Sequence, residues 1–309
     1  TCDGQAHSSV DQRDRAHFEK TRSRHRENTP FIARCFCMPE IAYGSSNRAG
    51  APKAVNEGVY HLQLKPGDVP GYVLLPGAPE RTIVIAKNWD DVREVASYRE
   101  YKTVTGTYGG IKLAATSTGI GGPSSEICIH ELRTLGVHTC IRVGTTGCIV
   151  PEFDLNDLII PVACVRKDGT SITYIEPEFP AFADTRVVMA LVQACEKLGF
   201  RYGLGLSYTV GSFYIGQGRP LDDDGSGYWP SFAEKIIPDL QQARVTNIEM
   251  ETAAQYVVGY LHGMRMGAVL SVIANRVLDR WGDDGGEEKA CLAACEAMKI
   301  LEKQDRERG

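Results

Sequence analysis

The stretch "IKLAATSTGIGGPSSEICIHELRTLG", residues 111–136, carries the fold in miniature. It opens on an apolar run, Ile111 to Ser117, with the length and composition of a buried strand. It closes on a helical pattern: Pro123 suits a first turn, Cys128, Leu132 and Leu135 share one face, and Gly136 stops it. Between them, Thr116 to Ser125 has almost no side-chain bulk beyond glycines and small hydroxylated residues. Strand, bare loop and helix make one unit of an α/β sheet. The loop also lets a ligand approach the backbone, where the free N–H groups of a helix start favour an anion. Two named phosphate motifs fail on spacing. No lysine follows as a P-loop requires, and in the dinucleotide pattern begun by Gly119 and Gly121 the third glycine is Ser124.

The same alternation continues outward. "YVLLP" (72–76), "CIRVG" (140–144), "DLIIPVACV" (157–165), "LSYTVGS" (206–212) and "AVLSVIA" (268–274) read as buried strands. "TRVVMALVQACEKLGF", "EMETAAQYVVGYLHG" and "EEKACLAACEAMKILEKQ" read as helices, the first with Val188, Leu191, Val192, Cys195 and Leu198 on one side. The expectation is one α/β domain over 58–309, with a central mixed, mostly parallel sheet flanked by helices. Residues 1–57 contain "DQRDRAHFEKTRSRHREN", dense in charge and without apolar periodicity, and read as a disordered or loosely docked extension. It lacks a signal-peptide core and carries acids foreign to a transit peptide. Because the chain opens at Thr1 rather than a methionine, a start further upstream is expected.

Composition narrows the function. A net charge of −5 gives no support for binding nucleic acid or a membrane surface, and no apolar run nears the ~20 residues of a membrane span. The ten cysteines include no CxxC pair, and Cys35 and Cys37 stand too close for a comfortable disulfide. Reduced thiols in a cytoplasmic protein are the expectation.

The strand ends gather the chemistry, and in an α/β sheet ligands bind at the carboxyl ends. After "YVLLP" come Gly77 and Arg81; Arg142 lies inside "CIRVG", followed by Thr145. After the strand near Gly211 come Phe213, Gln217 and Arg219, and after "LSVIA" comes Arg276. Arginines clustered this way cost energy without an anion, and their planar forks suit phosphate oxygens.

"LPGAPER", "SYREY", "STGIGGPS", "RVGTTG", "SFYIGQGR", "NIEMET" and "IANRV", in this order, resemble the pyrimidine branch of the nucleoside phosphorylase family. The resemblance runs from about residue 58 to 276 and implies phosphorolysis, in which uridine and inorganic phosphate, the co-substrate, give uracil and ribose 1-phosphate. It implies phosphate contacts at Gly77, Arg81, Arg142 and Thr145, with Arg99 reaching across from a neighbouring subunit. It implies ribose contacts at Thr145, Met250 and Glu251, and His61 from the partner at the 5′-hydroxyl. Base recognition falls on Gln217 and Arg219, with Phe213 packing on the base and Arg276 supporting the pocket. A homo-oligomer, at least a dimer, follows. The family's bacterial members carry a cation between subunits, held partly by the glutamate matching Glu100, so a cation there is a further expectation, its identity open. Ala78 departs from the family's P-G-D-P turn.

Other readings stay beside this one. Purine phosphorolysis needs an acid where this chain has Asn275-Arg276; a nucleosidase would leave Arg81, Arg99 and Arg142 without a purpose; a silent nucleoside-binding protein would not need Glu251. Glu249 is expected to cap the following helix, His130 and His138 to be structural, and Cys291 and Cys295 to pack. "LDDDGSG" (221–227) and "RWGDDGGEE" (280–288) read as solvated loops.

Overall fold

Strands whose side chains are apolar on both faces take the centre of the sheet. A computed structural model describes residues 58–222, 224–282 and 285–308; the extension expected at 1–57 lies outside the described residues. The elements run β1 (Tyr72–Pro76), α1 (Arg81–Ala86), β2 (Asp90–Tyr98), β3 (Tyr101–Tyr108), β4 (Ile111–Thr116), α2 (Gly122–Thr134), β5 (Thr139–Cys148), β6 (Leu158–Lys167) and α3 (Ser171–Tyr174). They continue with β7 (Ala181–Phe182), α4 (Thr185–Leu198), β8 (Tyr202–Val210), α5 (Ala233–Gln242), β9 (Asn247–Glu249), α6 (Thr252–Leu261), β10 (Arg265–Asn275), β11 (Arg280–Trp281) and α7 (Glu287–Arg308).

β4, β1, β5 and β10 lie side by side and parallel, in the registers Leu74↔Ala115, Leu74↔Ile141 and Ala268↔Arg142. Their carboxyl ends therefore open on one side, which is what assembles a site there. The mixed α/β sheet with flanking helices is as the sequence implied. One feature was not implied. β10 pairs antiparallel with β6, β6 parallel with β8, β8 parallel with β9, and β9 antiparallel with β5, so five strands close into a ring. β2–β3–β4 extend the sheet as an antiparallel meander. β2 is largely exposed and carries Asp90, Asp91, Arg93 and Glu94, charges that suit an unpaired edge.

The helices cover the apolar faces. α4 starts on Asp184, whose carboxylate accepts from the N–H groups of Arg186 (2.8 Å) and Val187 (3.2 Å), and ends at Gly199 in the left-handed conformation. Val188, Leu191 and Cys195 on its expected face are buried, and Val192 and Leu198 pack against the same core. α6 starts at Thr252, three residues later than the sequence reading, because Asn247–Glu249 pair with β5 and β8 instead. All seven cysteines among the described residues are buried and free, and Cys291 and Cys295 pack in the core as expected. No described helix is long and apolar enough to cross a membrane.

Candidate active site

A cavity of about 610 Å³ opens where β1, β4, β5 and β10 end. Of the residues proposed from sequence, Gly77, Arg81, Glu100, Arg142, Thr145, Phe213, Gln217, Arg219, Met250 and Glu251 line it. His61, Arg99 and Arg276 are not among its lining residues.

Arg142 and Glu251 form its buried centre. Arg142 points in from β5, and a Cβ on Gly144 would stand 3.0 Å from the Arg142 Cζ, so glycine there lets the guanidinium lie along the strand. Arg142 Nη2 donates to Glu251 Oε2, and its Nε lies 3.3 Å from Glu249 Oε2. Glu249 caps α6 as expected, accepting from the N–H of Glu251 (2.9 Å) and Thr252 (2.8 Å), and also faces Arg142, a second task the sequence did not reveal. Burial pushes the Glu251 carboxyl up; the Arg142 charge opposes this, and the Glu249 charge reinforces it.

The bare loop after β4 serves this carboxylate. Gly121 N donates to Glu251 Oε1 at 2.7 Å, so the anion at the start of α2 is the protein's own glutamate. Gly119 and Gly121 have φ of 70° and 89°, and a Cβ on Gly119 would stand 2.7 Å from both Glu100 Cγ and Ser124 Oγ. Gly119 N also donates to Gly77 O at 3.0 Å, which staples this loop to the one carrying Ala78.

Arg81 opens α1 and is partnered from far along the chain. Its Nη2 donates to Glu287 in the first turn of α7, and its Nη1 lies 3.4 Å from Val143 O. Glu287 and Glu288 begin the helix expected from "EEKACLAACEAMKILEKQ", but Arg280 and Trp281 form β11, where a solvated loop is expected from sequence. Pairing with Ala274 and Asn275 at the end of β10 overrides the local composition.

The opposite end of the cavity is built from Phe213, Gln217, Arg219 and Trp281. Gln217 sits in a short 3₁₀ turn, Ile215–Gln217, and Gly218 follows with φ 60°. The Arg219 guanidinium lies 4.7 Å from the Phe213 ring centre and 5.6 Å from that of Trp281. Arg276 stands behind this wall, donating to Gln217 O and, at 2.9 Å, to Gly218 O. It thus holds the backbone of this wall and is not among the residues lining the cavity. Among the described residues no carboxylate pairs with Arg219 or Arg276. Burial lowers the Arg219 pKa; burial and then the Arg219 charge push Arg276 down to about 10. Asn275 is fully committed, its amide N donating to Val150 O (3.0 Å) and Phe153 O (2.6 Å) and its oxygen accepting from Val277 N and Leu278 N.

His61 and Arg99 stand outside the chain's own cavity. His61 Nδ1 lies 2.7 Å from Glu131 Oε1, and the Glu131 carboxylate also accepts from the N–H of His61 and Leu62. Arg99 is exposed at the β2–β3 turn, in a left-handed conformation (φ 56°), with its guanidinium 5.4 Å from the Tyr98 ring centre. Glu100 accepts from Ser124 Oγ at 2.8 Å, and its own backbone N–H holds its carboxyl below the usual range. Among the described residues no three His, Cys, Asp or Glu side chains stand together as a metal site would need.

Comparison with known proteins places this geometry. The model of the phosphorylase superfamily matches residues 72–302. The chain is similar to the uridine phosphorylase of Thermococcus kodakarensis, 51% identical over 249 residues, 81% of this chain and 88% of that one. It belongs to the phosphorylase superfamily. It is also similar to the uridine phosphorylase of Escherichia coli, 38% identical over 71% of this chain and 86% of that one. A guanosine phosphorylase of Halorubrum lacusprofundi is 33% identical over 74% of this chain and 88% of its own length. The superfamily match spans every wall of the cavity, from β1 to α7.

Proposed function

We propose that the protein catalyses the reversible phosphorolysis of uridine to uracil and ribose 1-phosphate, with inorganic phosphate as co-substrate. The observation that carries this is the contrast within one cavity. A buried Arg142–Glu251 pair lies at one end, and Arg219, without a carboxylate partner among the described residues, lies beside Gln217 at the other.

Cleaving an N-glycosidic bond develops positive charge on the ribose and negative charge on the departing base. Phosphate would be held by Gly77, Arg81, Arg142 and Thr145, close to the anomeric carbon, where its negative oxygens offset the sugar's charge. Glu251 would accept from the ribose hydroxyls, and Met250 would supply an adaptable apolar wall beneath the ring. As a phosphate oxygen bonds to C1′ and the C1′–N1 bond breaks, the bond's electrons move onto the base. Arg219 and Gln217 would meet its oxygens and N3, with Phe213 against its face. The purine alternative is disfavoured because Asn275 spends its whole amide on the backbone and cannot act as an acid.

His61 and Arg99 would act in a second copy's cavity, which makes the enzyme at least a homodimer with shared sites. With Nδ1 on Glu131, His61 keeps Nε2 for a 5′-hydroxyl. A cation at the subunit interface would need Glu100 from each copy. Seven free, buried thiols suit a reducing, cytoplasmic setting.

The test is turnover of uridine, thymidine and inosine with and without phosphate. Uridine cleavage that requires phosphate and yields ribose 1-phosphate is expected; equal rates without phosphate would replace phosphorolysis with hydrolysis, and preference for inosine would favour the purine reading.

A further inference from the structure

Trp281 lines the cavity yet is 64% exposed. A large aromatic ring left this exposed at a cavity wall has an apolar face open to a ligand. Its placement is not that of a loose loop side chain. Trp281 is paired with Ala274 across the β10–β11 ladder. On one side Arg280 is ion-paired with Asp154. On the other, Gly282 N donates to Ile273 O at 2.9 Å, and a Cβ on Gly282 would stand 2.8 Å from Leu155 Cδ1, so the chain is held tightly against that side chain. The backbone on both sides of the indole is fixed.

What the indole meets is Arg219, a half-buried guanidinium whose hydrogen-bond partner within the protein is Gln217 Oε1, at a long 3.5 Å. The like charge of Arg276 stands close enough that Arg219 lowers the Arg276 pKa. A half-buried cation beside a second cation, with no carboxylate partner among the described residues, tends to move toward water. An aromatic face restrains it by attracting the charge without neutralising it. A carboxylate in that position would also hold Arg219, but it would cancel the field that a departing base anion needs.

We infer that Trp281 is a positioning and base-binding residue of the uridine site: its indole holds Arg219 in place as an unneutralised cation and provides an apolar wall for the pyrimidine ring. This rests on the phosphorolysis reading and deepens it. The ligand class is a planar pyrimidine that acquires negative charge as its glycosidic bond breaks.

Steady-state kinetics of Trp281→Ala and Trp281→Phe, with tryptophan emission titrated by uracil in the presence of phosphate, test the inference. Loss of a partly exposed cation–π contact is expected to raise the KM for uridine in Trp281→Ala by roughly two- to fivefold while leaving the KM for phosphate unchanged. Trp281→Phe, which keeps a ring, is expected to recover most of that loss. Uracil should change the emission of the native enzyme, and the change should vanish in Trp281→Phe, where Trp89 and Trp229 remain. Uridine kinetics unaltered in Trp281→Ala, equal losses for uridine and phosphate, failure of Phe to restore, or an emission change that persists in Trp281→Phe would each overturn it. A phosphate-independent native enzyme would instead remove the underlying reading, so the two failures are distinguishable.

Discussion

The two ends of the cavity treat their arginines in opposite ways. At the end proposed to hold phosphate and ribose, Arg142 faces Glu251 and Glu249, and Arg81 faces Glu287. At the end proposed for the base, Arg219 and Arg276 have backbone carbonyls, a glutamine and aromatic rings, and no carboxylate among the described residues. Under the proposed function, the physical reason is the lifetime of the anion each end would serve. Phosphate is an anion before, during and after binding, so its arginines can rest against glutamates. The base becomes an anion only as the bond breaks. Cations left uncompensated there favour the transition state over the ground state, which is the difference that raises kcat.

That contrast sets the order of the tests. Glu251→Ala strikes the paired end hardest, removing the proposed ribose acceptor and leaving Arg142 buried beside Glu249 alone. Activity should fall by at least the ~10²–10³ typical of losing one transition-state partner, and stability should fall by about 3–5 kcal/mol, read by denaturant unfolding. Glu251→Gln should recover much of the stability and little of the rate; unaltered turnover in either variant would break the assignment of the ribose site.

Arg219→Met addresses the uncompensated end. A loss of ~10²–10³ in kcat is expected with no loss of stability, since a desolvated charge gives way to an apolar chain of similar volume. A fall in melting temperature as large as that of Glu251→Ala would mean the two ends do not differ. Arg276→Met should be milder, about tenfold in kcat/KM for uridine, because Arg276 acts through the carbonyls of Gln217 and Gly218.

The smallest effect on activity should come from an arginine cluster outside the cavity. Asp305 on α7 binds Arg265 and Arg186, both at 2.5 Å, and Tyr72 at 2.6 Å. Burial works to raise the Asp305 pKa, but Arg265, Tyr72 and Arg186 together hold it well below the usual carboxylate range. A carboxyl depressed by folding adds stability above its unfolded pKa and loses it as pH falls through the folded value. The melting temperature should therefore drop on acidification below the ordinary aspartate range. Asp305→Asn should remove part of that dependence while uridine kinetics stay native. An unchanged pH profile would show that the cluster contributes nothing.

Local patterns were legible and long-range pairings were not. "YVLLP" became β1 with the ends that its apolar run indicated, because a short buried strand bounded by glycine has few alternatives. Gln217 and Arg219 could be read because two residues of one turn carry the whole motif. β2 was not read as a strand, since its charges suit an edge and hide the alternation. Glu287 and Trp281 were missed for another reason: each lies in a polar, glycine-rich stretch whose partners, Arg81 and Arg219, are supplied by distant parts of the chain.

Sequence by itself determined the α/β class, the strand ends that carry guanidinium, hydroxyl and amide groups, and the superfamily, because each is written in contiguous residues. Tertiary structure alone decided the closed ring of five strands and which arginine meets a carboxylate. The reason is geometric: charge compensation depends on distance in space, and the glutamates that neutralise Arg81 and Arg142 come from elements far from them along the chain.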